Sequence, residues 1–370
     1  MLKLISNPGI LDIAPYKAGG FLPADSKIWG LASNENLLGP SQHTLSAYQK
    51  AYTRLNRYPD QGAVALKKAI ADLHNLSSDN ILLGNGSDEI LSLLFRAYVG
   101  IDEEVILSEN GFFLFPILTK AQGAKIVLAK ENNLTTQIDA ILENITLKTR
   151  ILCIANPNNP TGTFVPLAEL KRLCEAVPAN VLIIIDSAYA EYMVEGDYGT
   201  GSSLVDQYPN VVMTRTLSKI YGLAALRVGW AYASADIIAV INRIRLAFHV
   251  NSLAQEVSIA ALADQMFVQK CVAHNLYWRN WFEKELDQLG LEYQKTYTNF
   301  SLLLFKENSG VTAQDLQEYL LDRHILTRAL NLPGLSDSCL RITIGPQEAM
   351  EELVLRLKDF FHEGKKALSN

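Results

Sequence analysis

Between residues 80 and 250 short apolar runs alternate with amphipathic stretches, and this rhythm predicts the fold. "NILLG" (80–84), "EVILS" (104–108) and "KIVLA" (125–129) read as strands. "RILCIANP" (150–157) and "NVLIIIDSAY" (180–189) are unbroken apolar runs rich in β-branched residues, of the kind buried on both faces of a sheet. "NVVMTRT" (210–216) and "RVGWAYA" (227–233) continue the series. Helical patterns at 87–100, 115–124 and 166–177 lie between them. Strands separated by helices imply βαβ units, so the expected class is α/β. The large domain should hold a mostly parallel, seven-stranded type of sheet sandwiched by helices.

After residue 250 the texture changes. A long helical pattern spans 267–290 and stops at a glycine. Strand-like runs follow at 299–305, 324–330 and 339–345, and a last amphipathic helix starts from Pro346. The expected division is an arm over 1–35 packing with the small domain, a large domain over 36–250, and a small α+β domain over 251–370. In open sheets of this kind ligands sit beyond the carboxyl ends of the strands. That rule directs attention to the loops after 83, 155, 186 and 215.

Composition narrows the function. The chain has 370 residues, 49% hydrophobic and 19% charged, with a formal charge of −6. An acidic balance argues against a nucleic-acid partner and against a polybasic membrane anchor. The four cysteines have no metal-type spacing and are expected as reduced, buried thiols. The six histidines form no HExxH pattern, so no metal is expected. The start lacks a signal-type apolar run and no stretch approaches 18 uncharged apolar residues, so the expectation is a cytoplasmic protein without a membrane partner.

Each strand-end loop carries unusual residues. In "GNGSDE" (84–89) two glycines precede Ser87 and Asp88, where helix N-terminal amides can hold an anion; a glycine turn with a capping serine is the plainer alternative. In "NPNNPTG" (156–162) two prolines hold Asn159 at a strand end, where its amide can donate to a phenolate-like oxygen; an Asx-Pro turn explains the same residues. In "IIIDSAYAEY" (183–192) Asp186 ends a buried strand and needs a cationic partner, unless it merely caps a helix. Tyr189 lies three residues on. In "TRTLSKIYGLAALR" (214–227) Thr216, Ser218 and Arg227 surround Lys219 with two hydroxyls and a guanidinium, a set suited to a phosphate dianion. A phosphate at one end, a carboxylate for a ring nitrogen at the other and a lysine between them describe pyridoxal 5′-phosphate, whose aldehyde the lysine would hold as a Schiff base.

With "LASNENLLGP" (31–40), "RYPD" (57–60) and "CLRITIG" (339–345) added, these motifs run nearly end to end. The chain resembles the fold-type I pyridoxal-phosphate aminotransferases. The resemblance implies that Lys219 binds the aldehyde and moves the proton, that Asp186 keeps the ring nitrogen protonated, and that Tyr189 and Asn159 bond the ring oxygen. Phe112 takes the place of the aromatic residue stacked on the ring. Ser87, Asp88, Thr216, Ser218 and Arg227 hold the phosphate, and Tyr58 reaches the phosphate of the partner subunit, which makes a homodimer the active unit. Arg341 and Arg328 match the substrate-binding arginines, and Tyr16 matches a tyrosine nearby. The implied partners are small amino donors and 2-oxo acids. Ser187, Phe112, Ala225 and Leu37 depart from the usual pattern without removing a required group. Within the family a phosphate-bearing donor competes with aromatic amino acids, and a phosphothreonine-type decarboxylase shares the lysine. A non-enzymatic sensor domain would need a DNA-binding module and a basic patch.

Overall fold

Seven strands form the central sheet of the computed structural model: β1 (Ile81–Asn85), β2 (Glu104–Ser108), β3 (Lys125–Ala129), β4 (Thr149–Ala155), β5 (Leu182–Asp186), β6 (Val211–Thr216) and β7 (Val228–Ala233). The structure describes residues 4, 6–15, 27–194, 196–305, 310–332 and 338–368. The strand order is β1-β7-β6-β5-β4-β2-β3. Only β7 runs against its neighbours, pairing antiparallel with both β1 and β6. The α/β class and the mostly parallel sheet are therefore as the sequence implied.

Alternation along the strands builds two cores. Ile183, Ile185, Met213 and Trp230 face one layer, with Leu66 and Ile70 of helix Val64–His74. Ile184, Val212 and Ala231 face the other, with Ile90, Leu91, Leu94 and Phe95 of helix Ser87–Tyr98. By the same alternation Asp186, Thr214 and Thr216 lie on the second face, at the carboxyl edge of the sheet. Register fixes their level: Asp186 is opposite Ala155 and Thr214, and Gly229 is opposite both Thr216 and Gly84.

The small domain is an antiparallel sheet in the order Tyr293–Gln294, Phe300–Leu304, Ser338–Thr343, Arg328–Asn331, covered by helices. Leu31, Trp278, Phe282, Leu303, Leu320, Leu340, Leu353 and others make its core. The run at 324–330, expected as one strand, is two. Ile325–Leu326 pairs in parallel with Trp29–Gly30, whereas Arg328–Asn331 pairs with Ser338–Thr343. The chain changes partner at Thr327, which a strand-long apolar pattern does not reveal.

Helix Ser252–Ala263 had no separate place in the sequence reading. Its signal was Asn251, whose side chain caps the Ala254 N–H at 2.8 Å. The helix packs into the large core through Ala254, Val257 and Ala261. The next helix, Gln265–Leu289, begins at an Asp264 cap and ends at Gly290 in the left-handed region, φ 69°. Val268 and Cys271 belong to the large core, and Trp278, Phe282 and Leu286 to the small one. The packing of the large core thus reaches residue 271 within this helix.

One packing detail has a pH signature. His74 stacks on Trp230 with ring centroids 5.2 Å apart. Burial, and secondarily Arg215, pulls its pKa from 6.5 to about 3. The folded protein keeps this ring neutral while the unfolded chain protonates it, so stability is lost as pH falls below about 6.5. Between pH 7 and pH 5 the loss is up to about 2 kcal/mol. His74→Gln is expected to flatten the drop in thermal midpoint between those two pH values; an identical drop in the variant would remove His74 as its source.

Candidate active site

The carboxyl ends of β1, β4, β5 and β6 meet the small domain in one cleft, lined by Ser87, Asp88, Phe112, Asn159, Asp186, Tyr189, Thr216, Ser218, Lys219, Arg227, Arg328 and Arg341. Twelve residues singled out from the sequence thus converge. Tyr58 does not line it: it is 82% exposed and stacks on Phe248 at 4.6 Å. Tyr16 lies outside the described residues.

One end of the cleft suits an anion. Gly86 adopts φ 83° and leads into the helix that starts at Ser87, and a Cβ there would strike the Arg227 guanidinium. A Cβ on Gly229 would strike the Ser87 amide, so the antiparallel strand can approach the helix start only as glycine. Thr216 Oγ1 donates to Ser218 Oγ at 3.0 Å, and Arg227 Nη1 donates to the same oxygen at 3.4 Å. The single Thr216 proton also has the Val228 carbonyl within reach at 3.2 Å. Arg227 Nη2 rests 3.3 Å from Asp88 Oδ2. Two hydroxyls, a guanidinium and helix N-terminal amides are the donor set that a phosphate dianion takes.

The other end suits a cation. Asp186 is buried, and Thr214 Oγ1 donates to its Oδ1 at 2.8 Å. Burial pushes its pKa up to about 7; Thr214 pulls down, Asp88 pushes up and Lys219 pulls down by smaller amounts. A carboxylate in that position is relieved by a positive partner, such as a protonated ring nitrogen. Lys219 Nζ lies between the two ends. It donates to the Ser33 carbonyl at 3.3 Å and sits 5.7 Å from the centre of the Tyr189 ring. The residues present therefore fit pyridoxal phosphate at both ends.

The small domain contributes the third wall. Arg341 Nη1 donates to Asn159 Oδ1 at 2.6 Å, and Nη2 donates to the Ala32 carbonyl at 2.7 Å. Arginine cannot accept, so the Asn159 oxygen must face it and the amide nitrogen is left to donate elsewhere. Sequence reasoning missed Thr214 as a partner of Asp186, although it stands two residues before Thr216 and hence on the same strand face. It also did not single out Ala32, Ser33 and Asn34, which hold Arg341, Lys219 and Tyr189. Their motif, "LASNEN", was in view, but two of the three act through backbone carbonyls, which no side-chain pattern announces.

Comparison with known proteins places this geometry. The chain belongs to the aminotransferase class I and II family, whose model matches residues 26–357, and it is an aminotransferase. More narrowly, it is 44% identical over 362 residues to a protein named histidinol-phosphate aminotransferase from Rhodopseudomonas palustris, covering 97% of this chain and 99% of that one. A crystal structure of histidinol-phosphate aminotransferase from Sinorhizobium meliloti in complex with pyridoxal-5′-phosphate superposes with a TM-score of 0.86 at 26% identity, over 91% of this chain and 92% of that one. L-threonine-O-3-phosphate decarboxylase from Porphyromonas gingivalis shares the fold, with a TM-score of 0.79 at 20% identity over 90% of this chain and all of that one.

Proposed function

We propose that the chain transfers an amino group reversibly between L-histidinol phosphate and 2-oxoglutarate, giving imidazole acetol phosphate and L-glutamate in histidine biosynthesis. The observation that carries this reading is the convergence of Lys219, a buried Asp186 and two arginines, Arg328 and Arg341, on one cleft. The cofactor is pyridoxal 5′-phosphate. When bound, it supplies the aldehyde that accepts the amino group and a ring that takes up the electron pair left at the donor's α-carbon.

The protein's own groups do the rest. Asp186 holds a proton on the ring nitrogen. Lys219 Nζ would take the proton from the donor's α-carbon and deliver it to the cofactor carbon that carried the aldehyde, and on the return half-reaction it would move a proton the opposite way, to the acceptor's α-carbon. Ser87, Asp88, Thr216, Ser218 and Arg227 anchor the phosphate, and Tyr189 with the Asn159 amide holds the ring oxygen. Phe112 covers the ring face. Arg341 and Arg328 bind the acidic groups of both donor and acceptor, so one site serves two acids in turn. We place the enzyme in the cytoplasm, in keeping with four cysteines that are all buried. Among the described residues no helix is long and apolar enough to cross a membrane.

A half-reaction survey tests the substrate. Holoenzyme mixed with histidinol phosphate, phenylalanine, tyrosine or aspartate is expected to lose its aldehyde absorbance fastest with histidinol phosphate. Faster conversion by phenylalanine would make it an aromatic aminotransferase, and carbon dioxide release from phosphothreonine would make it a decarboxylase. In the same assay Arg341→Ala should lower kcat/KM about 10- to 100-fold for donor and acceptor alike, the cost of a charge-assisted bond. A loss confined to one of them would refute a shared anion site.

We also propose a homodimer in which Tyr58 reaches the partner's cleft. In support, Tyr58 stands outside its own cleft, exposed and stacked on Phe248, and Tyr52, Leu55 and Leu246 are likewise exposed apolar side chains. Inactive Lys219→Ala subunits mixed with Tyr58→Ala subunits should then regain up to about a quarter of wild-type sites, since a two-fold heterodimer holds one intact site. Absence of any recovery would count against shared sites.

A further inference from the structure

Asn34 is 1% exposed and has a left-handed backbone, φ 55°, a conformation that costs a non-glycine residue free energy and persists where contacts enforce it. The contacts are specific. The Asn34 N–H donates to Thr343 Oγ1 at 3.0 Å, and the Thr343 hydroxyl donates to Asn34 Oδ1 at 3.4 Å. Asn299 Nδ2 donates to the Asn34 carbonyl at 3.1 Å. With Oδ1 turned to Thr343, the amide nitrogen faces the other way and donates to the Tyr189 hydroxyl at 2.9 Å. A phenol oxygen that accepts one bond still has its own proton to give. Tyr189 lines the cleft beside Lys219 and Asp186, so that proton is available to a ligand there.

Arg341 and Thr343 are two residues apart on one strand and share a face. Both groups assigned to the ring oxygen are therefore wired to this strand: Asn159 through Arg341, and Tyr189 through Asn34 and Thr343. We propose that Asn34 is a positioning residue, whose amide commits the Tyr189 hydroxyl to donate to the cofactor's ring oxygen and couples that bond to the substrate-binding strand. The inference rests on the reading of the cleft as a pyridoxal-phosphate site.

A hydroxyl that accepts from an amide is a stronger donor, because hydrogen bonds in a chain polarise one another. Negative charge on the ring oxygen is then better held, and the bound chromophore loses its proton at lower pH. The charged groups facing this spot are Asp186, Lys219, Asp88, Arg227, Arg328 and Arg341, and none of them changes when the Asn34 amide is removed.

Asn34→Gly is the informative variant, because glycine keeps the left-handed backbone while losing the amide. Spectrophotometric titration of the holoenzyme is expected to show the chromophore's midpoint rise by about half to one pH unit, the worth of one hydrogen bond. Thr343→Val, which removes only the hydroxyl that orients the amide, should shift it the same way by less. In a Tyr189→Phe background Asn34→Gly should shift nothing further. An unchanged or lowered midpoint in Asn34→Gly overturns the proposal, and so does an equal rise in the Tyr189→Phe background. If wild-type protein forms no chromophore with pyridoxal phosphate, the cofactor reading itself fails; if it forms one that Asn34→Gly leaves unmoved, only the role of Asn34 fails.

Discussion

Lys219→Ala is expected to abolish turnover, by about ten-thousandfold or more, and to leave the fold intact. The loss combines a missing general base, typically about a hundred- to ten-thousandfold by itself, with the missing covalent attachment of the cofactor. The fold should survive because the lysine is half-buried in a loop and its described polar contact is one hydrogen bond to the Ser33 carbonyl. Steady-state turnover and thermal unfolding of purified variant and wild type check both halves. Borohydride reduction should label position 219 in wild type alone. Residual transamination near the wild-type rate would refute the assignment of this lysine, and with it the mechanism.

Asp186→Asn should move stability and activity in opposite directions. In the cofactor-free protein burial raises this carboxyl to about 7 from 3.8. The unfolded chain is then ionised where the folded one still prefers its proton, so the group costs stability at every pH above about 4, and the cost levels off above about 7. Asparagine carries no such charge, and the cofactor-free variant should melt higher than the cofactor-free wild type at pH 7. With cofactor bound the sign reverses, because the ring cation loses its buried partner. Breaking a buried ion pair costs about 3–5 kcal/mol, which corresponds to a fall in kcat of about a hundred- to a few thousandfold. A variant that is less stable without cofactor, or active at the wild-type rate, would contradict the role drawn for Asp186.

How far the sequence could be read followed from what carried each feature. The parallel strands were legible because β5, with its three consecutive isoleucines, is buried along its whole length, and a strand buried on both faces has no polar alternation to blur it. Lys219, Asp186 and Arg227 were legible because charged side chains at strand ends need a reason to be there. Thr214 carries no such signal, since its contact depends on a cross-strand register with Asp186 that no local pattern encodes. The contacts of Ala32 and Ser33 escape for another reason: both act through carbonyl oxygens, and any residue type supplies those. Helix Ser252–Ala263 and the passage from one core to the other along the next helix are not legible locally, because only packing separates the residues that face one core from those that face the other.

That continuity has a consequence for how the molecule comes apart. The 25-residue helix Gln265–Leu289 is a single rod, gripped near its start by Val268 and Cys271 and further along by Trp278, Phe282 and Leu286. Neither half of the protein can melt without stripping packing from a rod the other half also holds. Heating should therefore bring both halves down together, and a protease cut in the middle of that rod would sever the mechanical tie that makes them one cooperative unit.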